Sequence, residues 1–281
     1  MFKGSIVALV TPFTENDLID VEALKALVNW HVDAGTDAIM CLGTTAETPT
    51  LMDEERRLVV GIVMEEVRGR VPVIAGTGCN ATAKAVAYTR EAKEWGVEGC
   101  LVVVPYYNRP TFEGCVRHFE EVAKVGLPMI AYHHPARTGV KLNIQTLLQI
   151  AQIENVVAIK EASGDMELAV ELCAQVNVLC GDDVIALPML AAGAKGVCSI
   201  VANVIPEKWK ELVTSMSREL AQELLPLCKA MVLEVNPQCV KYALSVMGKC
   251  KPYMRLPLLE PREEAKKKIE LAIVQQSEVR A

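Results

Sequence analysis

Aromatic residues are scarce in this chain, with 4 Phe, 3 Trp and 6 Tyr among 281 residues. No basic cluster has aromatics interleaved with it, and 29 Lys and Arg face 35 Asp and Glu for a net charge of -6, so nothing here suits the backbone or the bases of a nucleic acid. Lys266-Lys267-Lys268 follows Glu263-Glu264 and reads as a solvated helix face. No run reaches the roughly 18 uninterrupted apolar residues of a membrane span. Met1-Phe2-Lys3-Gly4-Ser5 leads into a strand-like segment without a signal-peptide pattern, so a cytoplasmic protein is expected. The 10 cysteines fall singly, with no Cys-x-x-Cys pair for zinc or redox work, and are expected to be buried, reduced thiols. The 4 histidines, at 31, 118, 133 and 134, lack the spacing of a metal cluster. The one Gly-x-Gly, Gly76-Thr77-Gly78, lacks the third glycine of a dinucleotide loop. Neither a metal nor a nucleotide cofactor is expected.

What the chain has in quantity is apolar sequence, 51% of its residues, enough for a large core. Short apolar runs alternate with amphipathic stretches about eight times. The strand candidates are residues 5–10, 38–42, 73–75, 100–104, 129–132, 156–160, 178–180 and 196–200; helical periods cover 21–32, 53–67, 82–95, 111–125 and 144–153. The strand runs do not alternate in polarity, as befits a parallel sheet covered on both faces. A junction recurs at Gly35, Gly96 and Gly193, each placed to end a helix in a left-handed conformation shortly before the next strand. Eight such units predict a (β/α)8 TIM barrel over residues 1–220. From Pro206 to about Val235, from about Pro237 to Met247 and from Pro261 to the end the pattern is helical, without a convincing strand, which predicts a small helical C-terminal region over residues 221–281.

Catalytic residues of such a barrel come from the C-terminal strand ends. Lys160 closes the run Val156-Val157-Ala158-Ile159, and a lysine there is costly as a charged group unless it is paired. A lysine held as the free amine is a nucleophile suited to Schiff-base formation with a carbonyl. The other strand ends deliver Thr44 and Thr45, Tyr106 and Tyr107, Tyr132 with Arg137 beyond it, Gly181 with Asp182 and Asp183, and Ser199. Singly these could be caps, packing or surface pairs. Together they supply an amine, hydroxyls for proton transfer and a guanidinium for a carboxylate.

These residues fall in motifs that are similar to one family in order and spacing: Gly43-Thr44-Thr45, Pro105-Tyr106-Tyr107-Asn108-Arg109-Pro110, Arg137-Thr138-Gly139, Ile159-Lys160-Glu161-Ala162, Gly181-Asp182-Asp183, Asn236-Pro237 and Leu256-Pro257. Over almost its whole length the chain resembles the dihydrodipicolinate synthases, pyruvate-dependent class I aldolases related to N-acetylneuraminate lyase. The resemblance implies condensation of pyruvate with aspartate 4-semialdehyde to 4-hydroxy-tetrahydrodipicolinate, at the entry to the diaminopimelate and lysine branch. It implies that Lys160 forms the imine, that Tyr132 is the general acid and base, and that Thr44 and Tyr107 complete a proton relay, with Tyr107 supplied by a neighbouring subunit. Thr45 would hold the pyruvate carboxylate, the backbone carbonyl of Cys198 and Gly181 would line the pocket, and Arg137 would bind the acceptor's carboxylate. A tight homodimer, paired into a tetramer, is the implied assembly.

The chain departs from the family pattern in places. Ala46 replaces the second glycine of the Thr44-Thr45 turn, which would cost roughly 1 to 2 kcal/mol if that position needs a positive φ. His133 stands where asparagine is common. Lys84 replaces the acid, and Asp53 and Arg56 the histidines, of the effector site of lysine-inhibited members, beside a retained Asn80 and Tyr106, so weak or absent feedback is expected. A sialic acid or 2-keto-3-deoxy sugar acid lyase would keep Lys160, Tyr132 and the threonines but has no need of Arg137. A barrel kept only for binding would have no need of the lysine.

Overall fold

The computed structural model describes residues 2–278. Eight strands, β1 (Gly4–Ala8), β2 (Ala38–Cys41), β3 (Val73–Gly76), β4 (Gly99–Val103), β5 (Met129–His133), β6 (Val156–Glu161), β7 (Val178–Cys180) and β8 (Gly196–Ser199), pair in parallel in chain order, and β8 pairs with β1 to close the barrel. The helices are α1 (Val21–Asp33), α2 (Asp53–Val67), α3 (Thr82–Glu94), α4 (Phe112–Ala123), the single turn α5 (Pro135–Thr138), α6 (Ile144–Ala151), α7 (Met166–Cys173), α8 (Ala186–Ala191), α9 (Pro206–Ser215), α10 (Arg218–Ala230), α11 (Gln238–Val246) and α12 (Glu263–Glu278). The chain is thus a (β/α)8 barrel with added C-terminal helices.

Alternate strand residues explain the unbroken apolar runs. Ile6, Met40, Ile74, Leu101, Ile130 and Leu179 fill the barrel interior with Phe2, while Val7, Ile39, Val73, Val102 and Ile159 pack under the helices. The glycine junctions behave as the sequence predicts: Gly35, Gly96 and Gly193 have φ of 77°, 83° and 111°, and β2, β4 and β8 begin directly beyond them.

Strand ends differ from the sequence reading by a residue or so. The helical pattern after Pro206 is interrupted at Met216, whose φ of 52° ends α9; Ser217 then caps α10 by accepting from the Leu220 amide. A methionine carries no signal for a left-handed stop, so the break is invisible to periodicity. Helix α12 packs across α10 and α11, and the segment joining those two lies at the barrel mouth, where Val232 to Asn236 line the rim. Among the described residues no helix is long and apolar enough to cross a membrane.

Candidate active site

A cleft of about 840 Å³ opens at the C-terminal ends of the strands. Thr44, Thr45, Tyr132, Arg137, Lys160, Gly181 and Cys198 all line it, so seven of the eight residues singled out from sequence converge. The eighth, Tyr107, does not line it: the side chain follows β4 at φ 72° and is 88% exposed.

Lys160 is 6% exposed, and its Nζ lies 4.3 Å from the centroid of the Tyr132 ring. A register irregularity creates this pairing. Met129 aligns with Val156 but Ile130 aligns with Ala158, so β6 takes up one extra residue and Lys160, not Ile159, stands beside Tyr132. A one-residue slip exchanges the two faces of a strand, so without it the amine would point toward the helices. Gly181 makes room: a Cβ there would sit 2.9 Å from Lys160 Cε and 2.8 Å from Ala162 Cβ. Burial pushes the Cys198 thiol up to about 11, so it stays protonated beside the amine.

Thr44 and Thr45 belong to a short 3-10 turn, Thr44–Ala46. The strain expected at Ala46 is absent, because the left-handed residue of this turn is Glu47, at φ 55°. Glu47 is held there by burial and charge. Its carboxylate accepts from Lys241 Nζ at 2.6 Å and from the Arg255 amide at 3.0 Å, and both side chains of the pair are essentially inaccessible. Thr45 Oγ1 accepts from Asn236 Nδ2 at 3.0 Å. The C-terminal region therefore braces the turn at two points.

Arg137, exposed on α5, reaches Asn236 O with Nη2 at 3.4 Å and leaves most of its guanidinium facing the cleft mouth. Three further groups, to which the sequence assigned no role, belong to the site. His134 lines the cleft edge-on to Tyr132, with ring centroids 5.7 Å apart; burial, then Arg137 and Lys160, hold it at about 4, so it is a neutral imidazole at neutral pH. It lies two residues beyond Tyr132, so strand alternation was a usable signal. Asp183 accepts from the Ile200 and Val201 amides, and burial raises it to about 6. Asn236 reaches the site only through the fold. Ser199, by contrast, turns away and accepts from the Ala202 amide.

A second cleft of about 500 Å³ adjoins the first, sharing Thr44, Tyr132 and Arg137. Its wall includes Arg56, Asn80, Lys84, Tyr88 and Tyr106. The buried Arg56 stacks at 4.1 Å on Tyr88 and donates to Gly76 O, while Tyr88 donates to Asp53. Its fixed charges are thus cationic. Among the described residues no three His, Cys, Asp or Glu side chains cluster as metal ligands.

The family model described as dihydrodipicolinate synthetase matches residues 1–276. The chain is 48% identical to the 4-hydroxy-tetrahydrodipicolinate synthase of Geobacter sulfurreducens, over 96% of this chain and 97% of that one. It superposes on the dihydrodipicolinate synthase of Aquifex aeolicus with a TM-score of 0.95 at 44% identity, covering 98% of each. For the chloride-inhibited enzyme of Acinetobacter baumannii, solved as a pyruvate complex, the TM-score is 0.96 at 36% identity over 99% of each chain.

Proposed function

The chain belongs to the dihydrodipicolinate synthetase family, and we infer from that membership and from its cleft that it condenses pyruvate with aspartate 4-semialdehyde through an imine on Lys160. The observation that carries the mechanism is the buried Lys160 amine against the Tyr132 ring, opposite a turn of hydroxyls. Lys160 Nζ attacks the keto carbon of pyruvate, and water leaves to give the imine. The imine draws electrons from the methyl group, which loses a proton and becomes an enamine. That carbon attacks the aldehyde of the acceptor. The acceptor's amine then adds to the imine carbon and displaces Lys160, releasing cyclic 4-hydroxy-tetrahydrodipicolinate and the free enzyme. This is the entry to diaminopimelate and lysine biosynthesis.

Tyr132 passes protons in imine formation and carbon–carbon bonding, with Thr44 as its relay partner. We assign the third relay hydroxyl to the partner subunit's Tyr107, since in one chain Tyr107 stands outside the cleft, and a dimer or a dimer of dimers follows. Thr45 and its turn hold the pyruvate carboxylate, Gly181 and the Cys198 carbonyl form the wall, and Arg137 takes the acceptor carboxylate as a planar fork. No metal or nucleotide is required. The 10 free cysteines, nearly all buried, suit a reducing cytoplasm. A sugar acid lyase is disfavoured by the synthase relatives and by Arg137 at the mouth.

Borohydride reduction with pyruvate tests the chemistry. Mass spectrometry is expected to place the adduct on Lys160, and Lys160→Ala to abolish adduct and condensation together. An adduct on another lysine overturns the mechanism.

A further inference from the structure

His133 lines neither cleft, yet both nitrogens of its buried ring are engaged by groups that lead to the site. On one side Nδ1 lies 2.7 Å from Glu161 Oε2. On the other, the Leu142 amide donates to Nε2 at 3.1 Å. An amide N–H can only donate, so Nε2 is the unprotonated acceptor and the proton sits on Nδ1, where it is given to the carboxylate. The second oxygen of Glu161 accepts from the Ser163 amide.

The two ends of this chain of hydrogen bonds are the two halves of the reaction. Glu161 follows Lys160 directly, and the His133–Glu161 pair is the next rung of the β5–β6 ladder after Tyr132–Lys160. Leu142 ends the segment that carries Arg137. That segment is rigid within itself: the Arg137 and Thr138 amides donate to His134 O, the Gly139 amide to Pro135 O, and the Val140 amide to Thr138 Oγ1. Such a unit moves as a body, so its position depends on its anchors: Arg109 Nε donates to Gly139 O and Lys141 pairs with Asp165, and the bond to His133 ties its Leu142 end directly to β5.

We propose that His133 is a positioning residue that holds the imine-forming lysine and the acceptor-binding arginine in fixed register, one ring nitrogen for each. Aligning two reactants depends on sub-ångström placement of both holders, which a planar ring bonded at both edges provides. The proposal rests on the imine chemistry and the acceptor role of Arg137 given above.

Two substitutions separate the ends. In His133→Asn the amide nitrogen occupies the place of Nδ1 and still serves Glu161, but nothing receives the Leu142 amide. KM for the semialdehyde is expected to rise roughly tenfold, the scale of one lost buried hydrogen bond, while borohydride-trapped imine forms from pyruvate at the wild-type rate. In His133→Gln the amide oxygen reaches the Nε2 position and serves Leu142, but Glu161 loses its donor. Imine formation is expected to slow roughly tenfold while KM for the acceptor stays at the wild-type value. Glu161→Gln, which weakens the same end from the other side, is expected to follow the glutamine pattern at 133. Parallel losses in both assays for every variant, or wild-type behaviour throughout, overturn the proposal and leave His133 as packing. If the wild-type enzyme gives no adduct on Lys160, the functional reading falls first and this one with it.

Discussion

Charge decides most at the scale of single residues. Arg137 lines the cleft, and in the proposed reaction it takes the acceptor carboxylate and has no part in holding pyruvate, so Arg137→Ala is expected to leave imine trapping intact while condensation loses roughly 1.5 to 3 kcal/mol of transition-state binding, the usual cost of a charge-assisted pair. Equal losses in trapping and condensation would make Arg137 a structural residue. Lys84 and Arg56 argue differently, from repulsion. The cleft that they line is cationic, and Asp53, the acid behind its Tyr88, already receives the Tyr88 hydroxyl. A free lysine effector brings a second ammonium to that wall. Titrating lysine to millimolar levels in the coupled assay should leave the rate unchanged, and strong inhibition would mean that Asp53 binds the effector. Each tenfold of affinity lost corresponds to roughly 1.4 kcal/mol, well within reach of one misplaced charge at a partly buried site.

Among the elements, the informative one is α11, a helix of the C-terminal region that acts on a turn at the end of β2. Lys241 on α11 is fully buried against Glu47, with its Nζ 4.2 Å from the Phe13 ring centroid, and burial pulls its pKa down while Glu47 pulls it back up. Removing one partner leaves an uncompensated charge in the interior. Lys241→Ala is expected to cost roughly 3 to 5 kcal/mol in denaturant unfolding, and the double change with Glu47→Gln to recover a good part of it. Because Glu47 ends the turn that carries Thr44 and Thr45, KM for pyruvate should rise in the single variant even below its unfolding midpoint. A variant with wild-type stability would show that the pair contributes nothing. The elements themselves were largely legible: β7 and α2 have the limits that periodicity assigns, since a covered parallel strand and an amphipathic helix both write their period into the sequence. The stop at Met216, the left-handed Glu47 and the extra residue in β6 were not, because each is imposed by packing on a residue with no local preference for it.

For the whole molecule, acid is the clearest stress. Burial lowers His31 to about 3 and His118 to about 4, against 6.5 for the exposed side chain. The unfolded chain therefore takes up protons that the folded one refuses, so their contribution is complete above pH 6.5 and is lost as pH falls below it. Each costs on the order of 1 to 2 kcal/mol at about pH 5. Asp183 works in the opposite sense, since its raised pKa favours the protonated fold as pH falls from about 6 toward 3.8, but one such group offsets only part of two histidines. Thermal midpoints should drop between about pH 7 and about pH 5, and a flat profile would contradict the burial of these rings as neutral groups.

By itself the sequence determined the eightfold alternation, the family motifs and the residue types at the strand ends, because period and position along a run are local properties that burial on one or two faces selects directly. Convergence of the rim residues followed from the barrel, once that was recognised. Tertiary structure alone decided which of them meet and what holds them. Asn236 reaches Thr45 across 191 positions and Lys241 reaches Glu47 across 194, and His133 joins Glu161 and Leu142 from opposite sides of one ring. Such contacts exist only once the barrel has closed and the C-terminal helices have docked, and a buried polar group takes whichever partner the closed fold brings within hydrogen-bonding distance.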